Sequence, residues 1–309
     1  MKVLIVHSGN AVGGNSERYT FVREQGEALR ALGVDVEYFA VVGKGVKGYL
    51  NNYRRLKKTI ADYKLDLIHA HFGLCGALCV MQLKVPVVIT CHNGETLSWY
   101  GNIITSLAIQ RATHTICVAQ HIYDKLYLKP KNYTIKPCGI EITEVMDKTI
   151  AQQKMNLPKD KLNILFGGSF SNLRKNVALA NAALKILNRN DINLIEMKGF
   201  SREQVTLLYN ACDMLLLPTK SEGSPQVLKE AMAYNCPIVA TDVADIAYLL
   251  DGVSNSYVTT FDPADVADKI QKVIASGERT NGRERIMQLR LTNNEVAKTI
   301  KTIYESILP

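Results

Sequence analysis

The chain has 309 residues, of which 47% are hydrophobic and 21% are charged, values that exclude a disordered chain and are typical of a globular one. This length exceeds the usual size of one compact core, so we expect two domains. The formal net charge of +8 is uneven, because residues 1–150 hold 18 Lys and Arg against 12 Asp and Glu.

The sequence has no apolar run of about 18 residues, which argues against a membrane-spanning helix. The apolar run Met1–His7 is too short for a secretory signal. The seven cysteines lie mostly in apolar surroundings and form no C-x-x-C pair. We therefore expect a cytoplasmic protein without disulfides.

Short runs rich in Val and Ile alternate with segments of helical period, which predicts parallel sheets with helical crossovers. A helix is expected over Ser16–Leu32, ended by Gly33. Strands of the first half are predicted at Val3–Val6, Val34–Val41, Leu67–Ala70, Val85–Thr90, Thr115–Val118 and Tyr133–Ile135.

Gly13 and Gly14 lie between the first strand and the first helix. Such a glycine loop lets the backbone approach a ligand, although a plain tight turn explains it equally. The loop departs from G-x-G-x-x-G, so dinucleotide binding is weakly supported.

The stretch Lys44–Lys58 mixes cations with Tyr49, Leu50 and Tyr53. We favour a solvated helix face, and the alternative is contact with anionic lipid headgroups, which would make the protein a peripheral membrane protein. Nucleic acid is not expected, because no recognised binding motif accompanies the charge.

Three histidines follow or end neighbouring strands of the first half: His69, His71 and His92. The spacing of His69 and His71 occurs in metal sites, but no third ligand is marked, so packing at the strand end is favoured. A metal hydrolase built on these two residues is a distant alternative.

The pattern loosens into a polar stretch over Glu141–Leu157, which we interpret as a hinge, and a second cycle of strands and helices follows. The last helix, Asn293–Leu308, has Val296, Ile300, Ile303 and Ile307 on one face. Strands of the second half are predicted at Asn163–Phe166, Leu194–Met197, Met214–Leu217, Ile238–Ala240 and Ser256–Val258.

The segment from Gly167 and Gly168 to Arg174 and Lys175 joins a strand to a helix through glycines and then presents adjacent cations. This arrangement favours phosphate binding. An exposed lysine in the first turn of a helix is the alternative interpretation of Lys175.

A second strand-to-helix segment runs from Pro218 to Thr241. Ser224 suits the N-cap and Pro225 suits the first helical position. Glu222 then stands at the carboxyl end of the strand, where open α/β sheets bind ligands, and Glu230 lies farther along the helix.

The segment with Glu222 and Glu230 resembles the signature of the family 4 glycosyltransferases, glycosyl transferases group 1. The flanking residues that also match are Leu217-Pro218 before the pair, and Ala231-Met232-Ala233 and Pro237–Thr241 after it. The family 4 glycosyltransferases are retaining enzymes of the GT-B fold. The resemblance implies that Glu222 contacts the donor sugar near the reacting carbon, that Glu230 binds the ribose hydroxyls, and that Lys175 binds the diphosphate. Further donor contacts implied by position are Gly168, Arg174, Gly223, Ser224 and Gln226.

This sequence departs from the family in two places. Ser169 stands where an Arg is common, so Arg174 is expected to substitute for it, and Ser224-Pro225 stands where many members have an aromatic residue and a glycine. Since the sequence contains no Asp-x-Asp triplet, the metal-binding pattern of the other large glycosyltransferase fold, we expect no metal and no cofactor.

The first half resembles the family less specifically. Val118–Gln120 and Lys136–Glu141 resemble the family's segments before the hinge, which implies that Gly139 turns near the nucleotide. The position of His92 implies contact with the donor sugar, and that of Gly13 and Gly14 implies a loop facing the cleft.

The resemblance therefore implies two Rossmann-like α/β domains with an interdomain cleft: an acceptor domain over 1–150, a donor domain over 157–290, and a helix over 293–309 that returns to the first domain. The expected function is transfer of a hexose-type sugar from a nucleotide-sugar donor to a glycan or lipid-linked acceptor in bacterial surface polysaccharide synthesis. A sugar-nucleotide epimerase of the same fold and a non-catalytic nucleotide-sugar binder remain alternatives.

Overall fold

The computed structural model describes residues 1–9, 20–43 and 45–308. The chain divides into two compact units, Met1–Gly139 with Leu291–Pro309, and Ile140–Arg290. Each unit is built around one parallel sheet covered by helices.

The first unit contains a six-stranded parallel sheet in the order β2-β1-β3-β4-β5-β6. Val3–Val6 in the first strand, which has neighbours on both sides, are fully buried, as expected for a parallel sheet covered on both faces. Its strands are β1 (Lys2–Ser8), β2 (Asp35–Val41), β3 (Leu67–His71), β4 (Val87–Cys91), β5 (His114–Cys117) and β6 (Tyr133–Ile135). Its helices are α1 (Thr20–Ala31), α2 (Gly45–Leu50), α3 (Tyr53–Tyr63), α4 (Gly73–Cys79), α5 (Trp99–Arg111), α6 (Gln120–Lys125) and the final helix, α14 (Asn293–Ile307).

The second unit contains a five-stranded parallel sheet in the order β11-β10-β9-β7-β8. Its strands are β7 (Leu162–Phe166), β8 (Ile192–Glu196), β9 (Met214–Leu217), β10 (Ile238–Thr241) and β11 (Tyr257–Thr259). Its helices are α7 (Lys148–Lys154), α8 (Val177–Leu187), α9 (Arg202–Ala211), α10 (Gln226–Ala233), α11 (Ile246–Leu250), α12 (Pro263–Ser276) and α13 (Gly282–Gln288).

The two sheets repeat one topology. In each, the second strand lies outside the first, and the third strand pairs with the other side of the first. The order in which successive strands are added across the sheet therefore reverses between β1 and β3 in one sheet, and between β7 and β9 in the other. A crevice forms at such a switch point outside the carboxyl ends of the strands, and ligands of open α/β sheets bind there. The predicted fold class of two Rossmann-like domains is confirmed.

The final helix packs against α1 within the first unit. Val296, Ile300 and Ile303 are buried, as is Tyr304. The Tyr304 hydroxyl lies 2.5 Å from Nδ1 of His69, whose Nε2 is 2.7 Å from Oγ1 of Thr90. A buried hydrogen bond therefore joins the end of the chain to the third strand.

The polar stretch after the first unit contains a helix that the sequence did not predict. Asp147 caps α7, because its side chain accepts the N–H of Ile150 at 3.1 Å, and α7 packs against α9. The buried side chains of α7, Ala151 and Gln152, are too few to give a clear periodic signal.

None of the helices in the described parts of the chain is long and apolar enough to cross a membrane. All seven cysteines lie within these parts, and each is buried and takes part in no disulfide.

We expect His69 to make the stability of the fold depend on pH. Burial, with smaller contributions from His92 and His114, lowers its pKa from 6.5 to about 3, so the ring is neutral in the folded chain. Since the unfolded chain takes up this proton near 6.5, the stabilisation is complete above that value and is lost as the pH falls towards 3. Between about pH 7.5 and about pH 5 the loss should be about 2 kcal/mol.

Urea unfolding of the wild type and of His69→Gln at both pH values measures this contribution. The variant has no histidine to protonate at this position. The difference in free energy of unfolding between the wild type and the variant should therefore be about 2 kcal/mol smaller at the lower pH. A deficit that is the same at both pH values would contradict the assignment.

Candidate functional site

The loops after β7 and β9 meet at the switch point of the second sheet. The first contains Gly167 and Gly168, and the N–H of Gly167 donates to the carbonyl of Leu216 in β9 at 2.9 Å. The second begins at Pro218 and leads into α10. The two segments that the sequence marked as ligand-binding are therefore adjacent in the structure.

Lys175 and Glu222 form an ion pair across these two loops. Nζ of Lys175 lies 2.7 Å from Oε1 of Glu222, and the hydroxyl of Thr219 donates to the same oxygen at 3.0 Å. The side chains of Lys175 and Glu222 are 12% and 11% exposed. A cation and a carboxylate are thus held beside each other, largely shielded from water, where electrostatic interactions are strong.

Gly168 defines the path of the Lys175 side chain. A Cβ atom on Gly168 would lie 2.8 Å from Cγ of Lys175 and 3.0 Å from its Cδ and Cε. Asn172 caps the short 3₁₀ turn Leu173–Lys175, and its side chain accepts the N–H of Arg174 at 3.1 Å. A side chain at this position would therefore displace the lysine stem from the path by which it reaches Glu222.

Arg174 and Ser169 have different surroundings. The backbone carbonyl of Arg174 accepts the N–H of Lys220 at 2.9 Å, while its side chain is exposed. The hydroxyl of Ser169 donates to Oε1 of Glu196 at 2.6 Å, and the N–H of Phe170 donates to the same oxygen at 2.7 Å. These two bonds lower the pKa of Glu196. The position at which the family often has an Arg is therefore linked to a carboxylate at the end of β8.

Helix α10 begins one residue later than the sequence predicted. Pro225 occupies the N-cap and Gln226 is the first helical residue, whereas the prediction gave Ser224 as N-cap and Pro225 as first residue. Pro225 has ψ of 116°, an extended conformation that excludes it from the helix. Gly223 and Ser224 consequently belong to the loop that carries Glu222.

Glu230 lies in α10 and has partners on α9. Its Oε1 accepts from the Arg202 guanidinium at 2.6 Å, and its Oε2 accepts the hydroxyl of Tyr209 at 2.9 Å. Burial, together with the Glu230 charge, raises the pKa of Tyr209, so this hydroxyl remains a donor. The two glutamates of the motif therefore have separate sets of partners.

Two further ionisable residues lie around α10. Lys229 is fully buried within the helix, and Asp245 lies just before α11. Burial raises the pKa of Asp245, and the negative charge of Glu222 raises it further. The hydroxyl of Ser224 and the positive charge of Lys229 lower this pKa, each by less than burial raises it. The loop that carries Glu222 is thus bordered by a second carboxyl group.

His92 lies at the carboxyl edge of the first sheet, within the first unit. Its Nε2 is 3.1 Å from Nδ1 of His71, and its ring contacts Phe21 and Phe72, with centroids 5.1 Å and 4.6 Å away. The ring of His71 stacks on that of His69 at 4.7 Å. His92 is therefore oriented by the buried rings of His69 and His71 and by two partly buried phenylalanine rings.

Glu95 holds the loop that carries His92. Its Oε1 accepts the N–H of Gly73 at 3.1 Å and that of His92 at 3.2 Å. Burial raises the pKa of Glu95, and the hydrogen bonds from backbone N–H groups oppose this shift. The carboxyl group thus joins the segments that follow β3 and β4.

His69 and His71 do not form part of a metal-binding cluster. In residues 1–9, 20–43 and 45–308, no three His, Cys, Asp or Glu side chains come together in a way that could hold a metal ion. Burial lowers the pKa of both rings. Packing at the strand end, the favoured interpretation, accounts for the two residues.

The remaining predicted site residues belong to the first unit. Gly139 lies against the start of α14, where an added Cβ would be 2.7 Å from Oδ1 of Asn293 and 2.8 Å from its Cα. Gly13 and Gly14 lie outside the residues that the structure describes.

Several polar residues of these sites were not predicted. Glu196 ends a strand, which is a weak sequence signal for a site at the sheet edge. The others carry no local motif, since each meets its partner through tertiary contacts. The residues missed were Glu95, Glu196, Arg202, Tyr209, Thr219, Lys229 and Asp245.

Comparison with known proteins identifies the class. The fold and the paired loops of the second unit define a glycosyltransferase of the GT-B fold. Residues 148–276 match the family model described as Glycosyl transferases group 1, and residues 19–144 match the model described as Glycosyltransferase Family 4. The chain belongs to this family, and the resemblance inferred from the sequence is confirmed.

Two relatives cover most of the chain. An uncharacterized glycosyltransferase of Methanocaldococcus jannaschii is 25% identical over 295 residues, which cover 85% of this chain and 82% of the relative. The putative teichuronic acid biosynthesis glycosyltransferase TuaC of Bacillus subtilis is 24% identical over 264 residues, which cover 74% of this chain and 67% of TuaC.

Two solved structures share the fold. A sucrose-phosphate synthase from Thermosynechococcus elongatus has a TM-score of 0.83 at 19% identity, covering 99% of this chain and 98% of its own. HepE of Anabaena, solved in complex with UDP, has a TM-score of 0.75 at 17% identity, covering 99% of this chain and 100% of its own.

We expect Gly168→Ala to slow sugar transfer by displacing the Lys175 side chain. The added methyl group would occupy the space of the lysine stem and separate Nζ from Glu222. A displacement of about 1 Å in a positioning group costs about a hundredfold in rate, so we expect kcat to fall between about tenfold and about a hundredfold.

The matched control is Gly167→Ala, in which the new Cβ would meet Cδ1 of Leu217 at 2.8 Å and not Lys175. This variant should lower the melting temperature, while its kcat should fall less than that of Gly168→Ala. A Gly168→Ala enzyme that keeps the wild-type kcat would contradict the positioning role of the glycine.

Proposed function

We propose that the chain is a retaining, metal-independent glycosyltransferase that moves a hexose-type sugar from a nucleotide-sugar donor to a glycan or lipid-linked acceptor. The observation that carries this proposal is the shielded pair of Lys175 and Glu222, 2.7 Å apart at the switch point of the second sheet. A cation and a carboxylate there match the two parts of a donor that change during transfer, the diphosphate and the sugar.

Lys175 is assigned to the diphosphate. As the bond between the anomeric carbon and the phosphate oxygen breaks, negative charge grows on the leaving nucleoside diphosphate. A fixed ammonium group interacts more strongly with this charge in the transition state than in the bound donor, so it accelerates the reaction. Because Lys175 is shielded and paired with Glu222, and its stem lies against Gly168, its geometry needs little rearrangement.

Glu222 is assigned to the donor sugar, as a positioning and electrostatic group. Two-carboxylate retaining hydrolysis needs a pair about 5–5.5 Å apart. The partner of Glu222 is instead a cation, and Glu230 has its own partners on α9. We therefore assign deprotonation of the acceptor to an oxygen of the leaving phosphate, which gives retention by displacement on one face of the sugar.

Glu230 is assigned to the ribose hydroxyls of the donor. Arg202 and Tyr209 donate to its two oxygens and fix the carboxylate plane. A carboxylate has about four acceptor sites, so two donors leave capacity for the vicinal hydroxyls of a ribose. The donor would then extend from Glu222 to Glu230 along the start of α10.

The relatives support a uridine nucleotide and a polysaccharide product. HepE of Anabaena has been solved with UDP and with UDP-glucose. TuaC is named for teichuronic acid biosynthesis. We infer a UDP-hexose donor and a role in bacterial surface polysaccharide synthesis on the cytoplasmic side of the membrane.

A non-catalytic nucleotide-sugar binder is the second candidate. The hydrogen bond between Ser169 and Glu196 favours it. An uncharged serine, bonded to a carboxylate, stands where the family often has a positively charged arginine. A single lysine would then provide the positive charge at the diphosphate. Measured transfer distinguishes the two candidates.

Two substitutions should separate binding from chemistry. Glu230→Ala removes hydrogen bonds to a charged group, so the Kd for the donor nucleotide should rise between about tenfold and about a hundredfold. Lys175→Ala removes stabilisation of the developing charge, so kcat should fall between about a hundredfold and about a thousandfold. Both are measured with EDTA present, by nucleotide titration and by release of nucleoside diphosphate.

Exposed residues of like charge on neighbouring helices of the second unit provide controls. Glu203→Ala on α9 and Lys185→Ala on α8 remove the same charges without touching the site, and both should behave as wild type. Wild-type turnover in both Glu230→Ala and Lys175→Ala would contradict the donor assignment. Loss of all turnover in EDTA, restored by a divalent cation, would contradict metal independence.

A further inference from the structure

Helix α5 carries large apolar side chains on its exposed face. Trp99 is 70% exposed, Leu107 58%, Tyr100 55% and Ile103 41%, and Leu97 just before the helix is 57% exposed. Trp99, Ile103 and Leu107 follow one another at intervals of four residues, so they form one row along the helix. The described structure therefore presents a continuous apolar strip to solvent.

The buried side of α5 is unusually polar. Asn102, Thr105 and Ser106 are buried, together with Gly101, Ala108 and Ile109. A surface helix of a globular protein normally buries its large apolar side chains and exposes its polar ones. In α5 three polar side chains are buried, and of its six large apolar side chains only Ile109 is buried, which indicates that the exposed face is adapted to an apolar environment.

A neighbouring segment extends the strip. Asn102 donates from Nδ2 to the carbonyl of Lys125 at 2.7 Å and accepts the N–H of Tyr127 at 3.1 Å. Ser106 accepts the N–H of Leu128 at 3.2 Å. Asn102 and Ser106 follow Trp99 and Ile103 at an interval of three residues, so they border the exposed row, and the segment that they bind runs along this side of α5. Tyr127 and Leu128 are exposed and widen the apolar surface.

The surroundings of this surface are basic. Residues 97–133 contain four cations, Arg111, Lys125, Lys129 and Lys131, against one acid, Asp124. Cations attract anionic lipid headgroups, while Trp and Tyr suit the boundary between headgroups and acyl chains. Two copies of the same basic surface would instead repel each other, which disfavours self-association.

We propose that the exposed face of α5 with Tyr127 and Leu128 is a docking surface for an anionic lipid bilayer. The basic stretch noted in the sequence is less suited, because its tyrosines are engaged by the fold. Tyr49 and Tyr53 pack against the core of the first unit, and the Tyr53 hydroxyl donates to the carbonyl of Met81 at 3.2 Å. The aromatic side chains of that stretch cannot enter a bilayer.

Docking here would hold the loop of His92 and Glu95 at the membrane. The loop of His92 and Glu95 ends where α5 begins, two residues after Leu97. A lipid-linked acceptor lies in the same interface as the docked helix. The surface itself goes beyond the proposed function, because binding to lipid needs neither donor nor transfer.

The experiment uses the single tryptophan of the chain, Trp99. Intact protein is titrated with vesicles of phosphatidylcholine alone, or of phosphatidylcholine and phosphatidylglycerol in equal parts, and the emission of Trp99 and its quenching by acrylamide are recorded. With anionic vesicles we expect a blue shift and protection from quenching, and weaker binding with neutral vesicles and at high salt.

Two sets of variants leave Trp99 in place. Ile103→Asn with Leu107→Asn should weaken binding at least about tenfold, because two apolar side chains no longer enter the lipid. Lys125→Gln and Lys131→Gln should each weaken binding to anionic vesicles about fivefold. Ile186→Asn is the matched control, an exposed isoleucine on α8 of the second unit, and should bind as wild type.

Circular dichroism and thermal stabilisation by UDP-sugars, measured on the same samples, show whether each variant is folded and binds donor. Unchanged Trp99 emission with both vesicle types would overturn the proposal, and so would equal binding by wild type and the Ile103→Asn, Leu107→Asn variant. A blue shift that depends on protein concentration without vesicles would assign the surface to a second copy and also overturn it. Failure of donor binding alone would leave the lipid result standing, so the two proposals are tested separately.

Discussion

The ion pair between Lys175 and Glu222 joins the loop after β7 to the loop after β9, and the geometry of the candidate donor site depends on it. An ion pair shielded from water is costly to break on one side, because the remaining charge loses its partner. The structure holds both members in place, through Gly168 beside the lysine stem and through the Thr219 hydroxyl on the carboxylate. A substrate with a negative and a hydroxyl-bearing part can interact with both charges at once.

The parallel sheet explains why these loops are adjacent. Strand order reverses at β7 and β9, so the segments that follow them leave the sheet on opposite faces and open a crevice. Helix α10 then adds Glu230, which Arg202 and Tyr209 hold from α9. The first sheet repeats this topology, and its edge carries His92 and Glu95. One topology thus supports two chemically different edges, a charged one and an aromatic one.

The buried strands could be predicted from runs of Val and Ile, and their ends moved by no more than about two residues, as is usual for such boundaries. The glutamate pair with its flanks identified the family, since its residues are close in sequence. Tertiary contacts could not be predicted from the sequence. Ser169 and Glu196 are 27 residues apart, and Arg202 and Glu230 are 28 residues apart, so no local pattern links the members of either pair. The helix α7 and the polar buried side of α5 were also missed, because short helices and buried small polar residues give no clear period.

The central claim is that the second unit binds a nucleotide-sugar at Lys175, Glu222 and Glu230 without a metal. The most direct measurement is thermal unfolding of the wild-type chain in EDTA with UDP-, GDP-, ADP- and CMP-linked sugars and the free nucleotides. A ligand at about 100 times its Kd stabilises the folded state by about 2.7 kcal/mol. We predict a selective rise in Tm with UDP-hexoses. An unchanged Tm with every nucleotide and nucleotide-sugar would contradict the account.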